Sequence, residues 1–499
     1  MIDSVLNACE SLVNLVSGKD QSSRISRSGM PNGFLLNDLI WFGDGASKRT
    51  AISRGFTVEP GEINAFSVQQ LNELHERLRI LLGILGEEYT LQIQWSIDSD
   101  YRYELEQYHR ETLDIRRRDP IYGQFGVLIR AERYERYKQA MAEGRLRRER
   151  LTLFFTRVID TRVPLAADHA VADYFEALSR KESFALMDFA SGALSRLFPD
   201  CRITPMSDQD HFLFYYRFLN SNLQVTEVDP LELFDPAHSI QQNCLHGEGV
   251  TPSNRSGVSF QLDSYNHAIF AVRQWPRRTF PGTIAALTGM GFQEYAITMN
   301  VYPKRIDKVI EKEEQHIQRL QIDALSERKQ SLVTDMVAKQ EKVTELQQGK
   351  VIPLNCLYVV RLWHRDTDVL AARCASLKNA FISMGGAVVH HATIPENARQ
   401  LFFQTWPGWT FGTYRAFDLP AEDSYLADLI PWSATFTGHL EHAEAIYNGA
   451  RGNLVGIRTR LGNTPQHGVL FGMTGAGKSV IVADLLAQIG HRFGFRLIV

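Results

Sequence analysis

The sequence predicts a multi-domain α/β chain with four parts. A large mixed α+β N-terminal region comes first, then a long helical arm, then a small α+β unit, then the start of a nucleotide-loop domain. Three observations predict this. Residues 472–479 read Gly-Met-Thr-Gly-Ala-Gly-Lys-Ser, which fits the phosphate-loop spacing G-x-x-x-x-G-K-[ST]. Arg305 to Gly349 runs without proline or internal glycine, with apolar residues at threes, fours and sevens. The remainder alternates short strand-like and helix-like patterns, and 499 residues suit three or four domains.

The boundaries expected are 1–303 for a mixed α+β docking region (divisible near 155), 304–350 for the arm, 351–430 for a small α+β unit, and 431–499 for the loop domain. Phe34 to Phe42 and Gly55 to Val58 are strand candidates. Leu71, Leu74, Leu78, Leu81 and Leu85 put one apolar face on a helix over Val68–Leu85. Leu91, Ile93, Trp95 and Ile97 alternate with polar residues, the pattern of a half-buried strand. Tyr101 to Glu149 is helical and charge-rich; interleaved acids favour a solvated face over a patch for DNA or anionic lipid. Leu151 to Phe155 reads as a strand, 170–200 as helix, and 210–275 as short strands and loops.

Ile284 to Met290 reads as an apolar helix and Tyr295 to Tyr302 as a strand. The arm is either one helix about 70 Å long or a helical hairpin. It serves a partner or packs on the body, and the pattern leaves both open. Residues 353–410 read strand, helix, strand, helix. Leu357 to Trp363 is the first strand, Asp366 or Thr367 caps Asp368–Met384, Gly385-Gly386 ends it, Ala387 to His390 follows, and a helix starts from Glu396. That order suits a ferredoxin-like unit. No repeat with a solenoid period is evident.

Composition narrows the function. With 54 basic and 57 acidic residues the net charge is −3, which argues against wholesale nucleic-acid binding. No run of 18 apolar residues exists, so no transmembrane helix is expected. Met1-Ile2-Asp3-Ser4 does not open a signal peptide. Cys9, Cys201, Cys244, Cys356 and Cys374 are odd in number and never in C-x-x-C, which fits reduced cytosolic thiols. His246-Gly247-Glu248 and His390-His391 lack partners at metal-ligand spacing.

The phosphate loop carries the chemistry. Consecutive backbone N–H groups cradle a triphosphate, so Gly475 and Gly477 keep side chains away and allow positive φ. Lys478 reaches the β- and γ-phosphates, and the Ser479 hydroxyl ligates Mg²⁺. Gly472, Met473, Thr474, Ala476 and Val480 complete the candidate ATP site. Around it, Gly468 to Phe471 reads as the entering strand, Ser479 to Ile489 as the helix, Gly490 as its stop, and Phe495 to Val499 as the next strand. The carboxylate strand that holds Mg²⁺ and an arginine finger would lie beyond Val499. The chain therefore reads as the front of a larger ATPase, with hydrolysis by this polypeptide alone in doubt.

Thr474 to Ser479 is similar to the loops of FtsK/HerA-like ring motors. Leu429-Ile430-Pro431-Trp432-Ser433-Ala434 with Gly438, and Trp275-Pro276-Arg277-Arg278-Thr279-Phe280-Pro281-Gly282 before a long charged helix, resemble segments of conjugative ATPases of the TraC and TrbE kind. The motifs cover about 40 residues. The resemblance implies the large cytoplasmic ATPase of type IV secretion and conjugation systems, with a RecA-like loop domain. It implies hexamers or dimers of trimers, docking on inner-membrane channel components, and ATP-driven pilus assembly and transfer of DNA or protein. It allows indirect or weak DNA contact. A non-catalytic docking scaffold is the alternative. A DNA-translocating coupling protein would begin with transmembrane helices.

Overall fold

The computed structural model describes residues 31, 33–43, 49–60, 66–118, 124–160, 168–221, 230–245, 249–253, 255–327, 330–412, 414–449, 451–459, 469–473 and 475–489. The strands are β1 (Gly33–Leu36), β2 (Leu39–Gly43), β3 (Arg49–Glu59), β4 (Tyr89–Asp98), β5 (Arg148–Asp160), β6 (Arg202–Pro205), β7 (Thr251–Pro252), β8 (Phe260–Leu262), β9 (Tyr265–Gln274), β10 (Tyr295–Pro303), β11 (Pro353–His364), β12 (Val388–His391), β13 (Leu419–Glu422), β14 (Ala445–Asn448) and β15 (Leu454–Ile457). The α-helices are α1 (Val68–Gly83), α2 (Arg102–Arg118), α3 (Gln124–Ala142), α4 (Asp168–Leu197), α5 (Asp208–Leu219), α6 (Ile240–Cys244), α7 (Ala285–Thr288), α8 (Ile306–Glu327), α9 (Gln330–Gln347), α10 (Thr367–Ser383), α11 (Pro395–Gln404), α12 (Asp423–Ala427) and α13 (Lys478–Ile489).

Among the described residues the chain forms two compact units. One is built from the chain up to Ser96, Arg150–Ser221 and Phe234–Ser433; the other from Ile97–Glu149, Pro230–Leu233 and the chain from Ala434. The first unit is organised by a 13-stranded sheet with the path β1-β2-β3-β5-β4-β10-β11-β9-β8-β7; β6 pairs β3, β12 pairs β9, and β13 pairs β11. The pairings β2–β3, β3–β5, β3–β6, β8–β9, β9–β11, β9–β12 and β10–β11 are all antiparallel.

A twofold repeat lies in this topology. The series β1-β2-β3-α1-β4-α2-α3-β5-α4-β6-α5 is matched, element for element, by β7-β8-β9-α7-β10-α8-α9-β11-α10-β12-α11. Pairing repeats too. β2 pairs the first half of β3 and β6 the second half, just as β8 and β12 share β9. The strand path is palindromic about the β4/β10 junction. The segment 353–410 therefore does not stand alone: β11 lies between β9 and β10. Its sequence pattern was local, whereas its strand partners are more than 50 positions away in the case of β10 (Tyr295 opposite Leu362).

Local chemistry explains the elements. The β1–β2 turn places Asn37 and Asp38 at positive φ, the geometry of a tight hairpin. Ser67 and Gln70 close a capping box on α1, which buries Leu78, Leu81 and Leu82. Asp366 caps α10 by accepting from the Asp368 and Val369 amides, and Gly385 and Gly386 end the helix at positive φ. Most of β9, β10 and β11 is buried on both faces, so these strands read as nearly continuous apolar runs.

Several expected elements differ. β4 is not half-buried: Gln92 is 0% exposed and Gln94 is also buried. Gln92 Nε2 donates to Asn300 Oδ1 (2.9 Å) and the Trp406 carbonyl, and its Oε1 accepts from the Gly408 amide. Gln94 donates to the Thr405 carbonyl (2.7 Å). These bonds satisfy amides that burial would otherwise penalise. Residues 210–275 begin with α5 and α6, not strands, and the apolar helix near 284 is only the short α7. The arm is a helical hairpin, α8 against α9, with Ile317, Leu320, Val343 and Leu346 buried and Lys339 Nζ 2.6 Å from Glu313 Oε2.

One carboxylate pair gives the first unit a pH signature. The Asp38 and Asp208 backbone amides each donate to the other's side chain, at 3.0 and 3.3 Å, and Arg54 donates to Asp38 (3.0 Å). Burial, then the Asp38 charge, pushes Asp208 up to about 7. The native state thus holds a proton that the unfolded chain releases near pH 4. That contribution is complete below pH about 4 and is lost as pH rises through about 7. Asp208→Asn is expected to flatten the fall in stability between pH 5 and 8. Thermal unfolding of both proteins checks this, and parallel curves would sink it.

In the second unit α2 and α3 form a hairpin that packs with β14, β15 and the preceding loop. Tyr101, Leu105, Tyr108, Tyr134, Tyr137, Met141, Leu440, Ile446 and Leu454 share one core cluster. Expected as a solvated face, this region is only partly so. Arg116, Arg117 and Arg118 are exposed, but Arg130 is 1% exposed and lies over the Tyr108 ring at 3.8 Å. Its guanidinium donates to Thr112 Oγ1 (2.9 Å) and the Glu444 carbonyl. No helix among the described residues is long and apolar enough to cross a membrane.

Candidate nucleotide site

The candidate site is the turn from Val469 into α13. Gly475 (φ 82°) and Gly477 (φ 80°) both take the left-handed region, and nothing lies within 4 Å of a Cβ built on either. A side chain at either position would be strained by the left-handed backbone, although it would meet only open space. The Ala476 amide donates to the Met473 carbonyl (3.1 Å), which closes the turn. The helix begins at Lys478, and its first intrahelical bond runs from the Ile481 amide to the Gly477 carbonyl (3.0 Å). The amides of the first turn thus point out of the helix at the loop, with the positive end of the helix dipole behind them.

Lys478 Nζ curls over the turn and donates to the carbonyls of Gly472 (2.7 Å) and Met473 (2.9 Å). A Cβ on Gly472 would sit 3.2 Å from Lys478 Cγ, so glycine lets the lysine stem lie close. Ser479 and Val480 follow in the first helical turn and are exposed. Met473 and Ala476 are exposed as well, and Thr474 lies outside the described residues. The structure therefore brings Gly472, Met473, Gly475, Ala476, Gly477, Lys478, Ser479 and Val480 into one turn of chain.

The flanks differ from expectation. Val469 to Phe471 carries no strand pairing, and Phe471 is 90% exposed. A strand exists only against a partner, and β14–β15, the two-stranded antiparallel sheet of this unit, does not supply one. Along α13, Gln488 and Ile489 are buried while Val480 and Ile481 are exposed. Gly468, Gly490 and the strand expected at Phe495–Val499 lie outside the described residues.

Behind the loop, α13 is held by groups that sequence reading missed. Both Asp484 carboxylate oxygens accept from Arg133 Nη2 of α3 at 2.7 Å, and Tyr447 Oη of β14 donates to Asp484 Oδ2 at 2.7 Å. Gln488 Nε2 donates to the same oxygen (2.9 Å), and Tyr108 Oη of α2 donates to Gln488 Oε1 (2.9 Å). Burial alone would raise the Asp484 pKa, but donation from Tyr447 and Arg133 outweighs it and holds the carboxyl below its ordinary value. A Cβ on Gly126 would run into the Ala487 carbonyl, so glycine sets the close crossing of α3 and α13. Arg133 and Asp484 are 351 positions apart, and no local pattern links them.

The other candidates are structural. His390 stacks on Phe417 and His391 on Phe270 (4.3 Å), and burial pushes His391 down to about 4, so it stays neutral. His246-Gly247-Glu248 lies outside the described residues, among which no metal-holding cluster occurs. Cys201, Cys244, Cys356 and Cys374 are free thiols, and burial raises the last three. The two proline-containing segments are packing elements of the first unit. Trp432 stacks on Phe198 (4.1 Å), Trp275 Nε1 donates to the Pro420 carbonyl (2.9 Å), and Tyr425 Oη donates to the Pro276 carbonyl. No family model matches this chain, and no curated protein matches it.

Proposed function

We propose that residues 472–480 bind the phosphates of Mg²⁺-ATP, and that the chain is an ATP-binding component of a type IV secretion or conjugation motor. The observation that carries the first part is the pair of left-handed glycines set directly before a helix that opens on Lys478-Ser479. The turn fits a polyphosphate because its two left-handed glycines leave the space beside the backbone free of side chains. In this reading the loop amides and the α13 N-terminus bind phosphate oxygens. Lys478 leaves the Gly472 and Met473 carbonyls for the β/γ-phosphates, and Ser479 holds Mg²⁺. When bound, Mg²⁺ would neutralise charge on the phosphate oxygens and so favour phosphoryl transfer to water.

The motor reading rests on the loop residues and on the two proline-containing segments. With it go a RecA-like domain around α13, hexamers, and a peripheral place at the cytoplasmic face of the inner membrane through channel components. Each half of the sheet is read as a ferredoxin-like β-α-β-β-α-β module, from the orders β6-β3-β5-β4 and β12-β9-β11-β10. Removing Mg²⁺ with EDTA is expected to weaken ATP binding about tenfold or more, because Ser479 acts only through the ion. Isothermal titration with and without the chelator checks this; equal affinities would remove Ser479 from the site.

A further inference from the structure

The loop is exposed, so its aim is set by the helix it leads into. That helix is fixed by the α2–α3 hairpin. Asp484 lies six positions after Lys478, about 9 Å along the axis. Arg133 Nη2 donates to both Asp484 oxygens, and Tyr447 and Gln488 donate to Oδ2. Gly126 removes the side chain that would push α3 away from Ala487. Arg133 Nη1 also donates to the Ile446 carbonyl of β14 (2.9 Å), so one guanidinium on α3 engages both α13 and β14 and restricts α13 more than a lone contact would. We propose that the α2–α3 hairpin positions the nucleotide loop, with Arg133 and Asp484 as positioning residues, so that loop occupancy and hairpin order are coupled.

This rests on the nucleotide-loop reading above. The internal repeat supplies a control. The arm α8–α9 fills the corresponding slot between β10 and β11, as α2–α3 does between β4 and β5. Its Lys339–Glu313 pair joins α9 to α8 within the arm itself. One hairpin is tied to α13 and its counterpart is not part of that clamp.

The test uses the full chain, mant-ATP with Mg²⁺, and amide hydrogen exchange. Nucleotide is expected to slow exchange across 124–142 in the wild type. Arg133→Ala is expected to weaken mant-ATP binding about fivefold or more and to abolish that slowing. Lys339→Ala should change neither. If Arg133→Ala fails to fold, the charge-reversed pair Arg133→Asp with Asp484→Arg decides, and recovery of affinity over Asp484→Arg alone supports the clamp. Wild-type affinity in Arg133→Ala overturns the proposal, as does a hairpin whose exchange ignores saturating nucleotide. Wild-type chain that binds no mant-ATP overturns the loop reading, and the coupling with it.

Discussion

Lys478→Ala is expected to lower affinity for Mg²⁺-ATP by about 10- to 100-fold. A charge-assisted hydrogen bond contributes about 1.5–3 kcal/mol, and about 1.4 kcal/mol is tenfold in affinity. The lysine also bridges the Gly472 and Met473 carbonyls, so its loss loosens the turn before any ligand arrives. Lys478 is partly exposed and is not among the buried core residues, so the unfolding midpoint should hardly move. Equilibrium titration beside a denaturant curve separates the two effects. Unchanged affinity would remove Lys478, and with it the loop assignment.

The largest stability effect is expected at Arg148, where β5 begins. Its guanidinium donates to Glu104 of α2 and to the Asp100 carbonyl (3.4 Å), and lies 4.9 Å from the Tyr101 ring centre. Glu104 is buried, so Arg148→Met leaves a carboxylate in a low-dielectric site without this cation. Breaking a buried pair by removing one partner costs about 3–5 kcal/mol, whereas replacing both partners costs far less. The double variant Arg148→Met with Glu104→Leu is therefore expected to be more stable in urea than Arg148→Met alone. A double variant less stable than the single would show that Glu104 is held mainly by other groups.

What could be seen in the sequence was what is encoded locally. The Gly475/Gly477/Lys478 turn needs only adjacent residues: both glycines take positive φ and the helix starts at Lys478. The β11–α10–β12–α11 order was visible because Asp366 and Gly385-Gly386 mark their own boundaries. Gln92 and Gln94 misled because alternation tells polar from apolar, not buried from exposed. Their burial depends on Asn300 and residues 405–408, more than 200 positions away. The twofold repeat escaped notice for a related reason. It is a repeat of pairing, and β3 (RTAISRGFTVE) shares no evident pattern with β9 (YNHAIFAVRQ). The charge-rich stretch at 101–149 was read as a solvated face because Arg130, Arg133 and Arg148 find their partners only after folding.

The central claim is that this turn of chain holds a nucleotide's phosphates. Photo-crosslinking of 8-azido-ATP with Mg²⁺ to the full chain, followed by peptide mapping, tests it most directly. Label is expected in the second unit, on peptides from Ala434 onward, competed by ATP and lost in Lys478→Ala. Label confined to peptides before Ser96, or label that persists in Lys478→Ala, would contradict it.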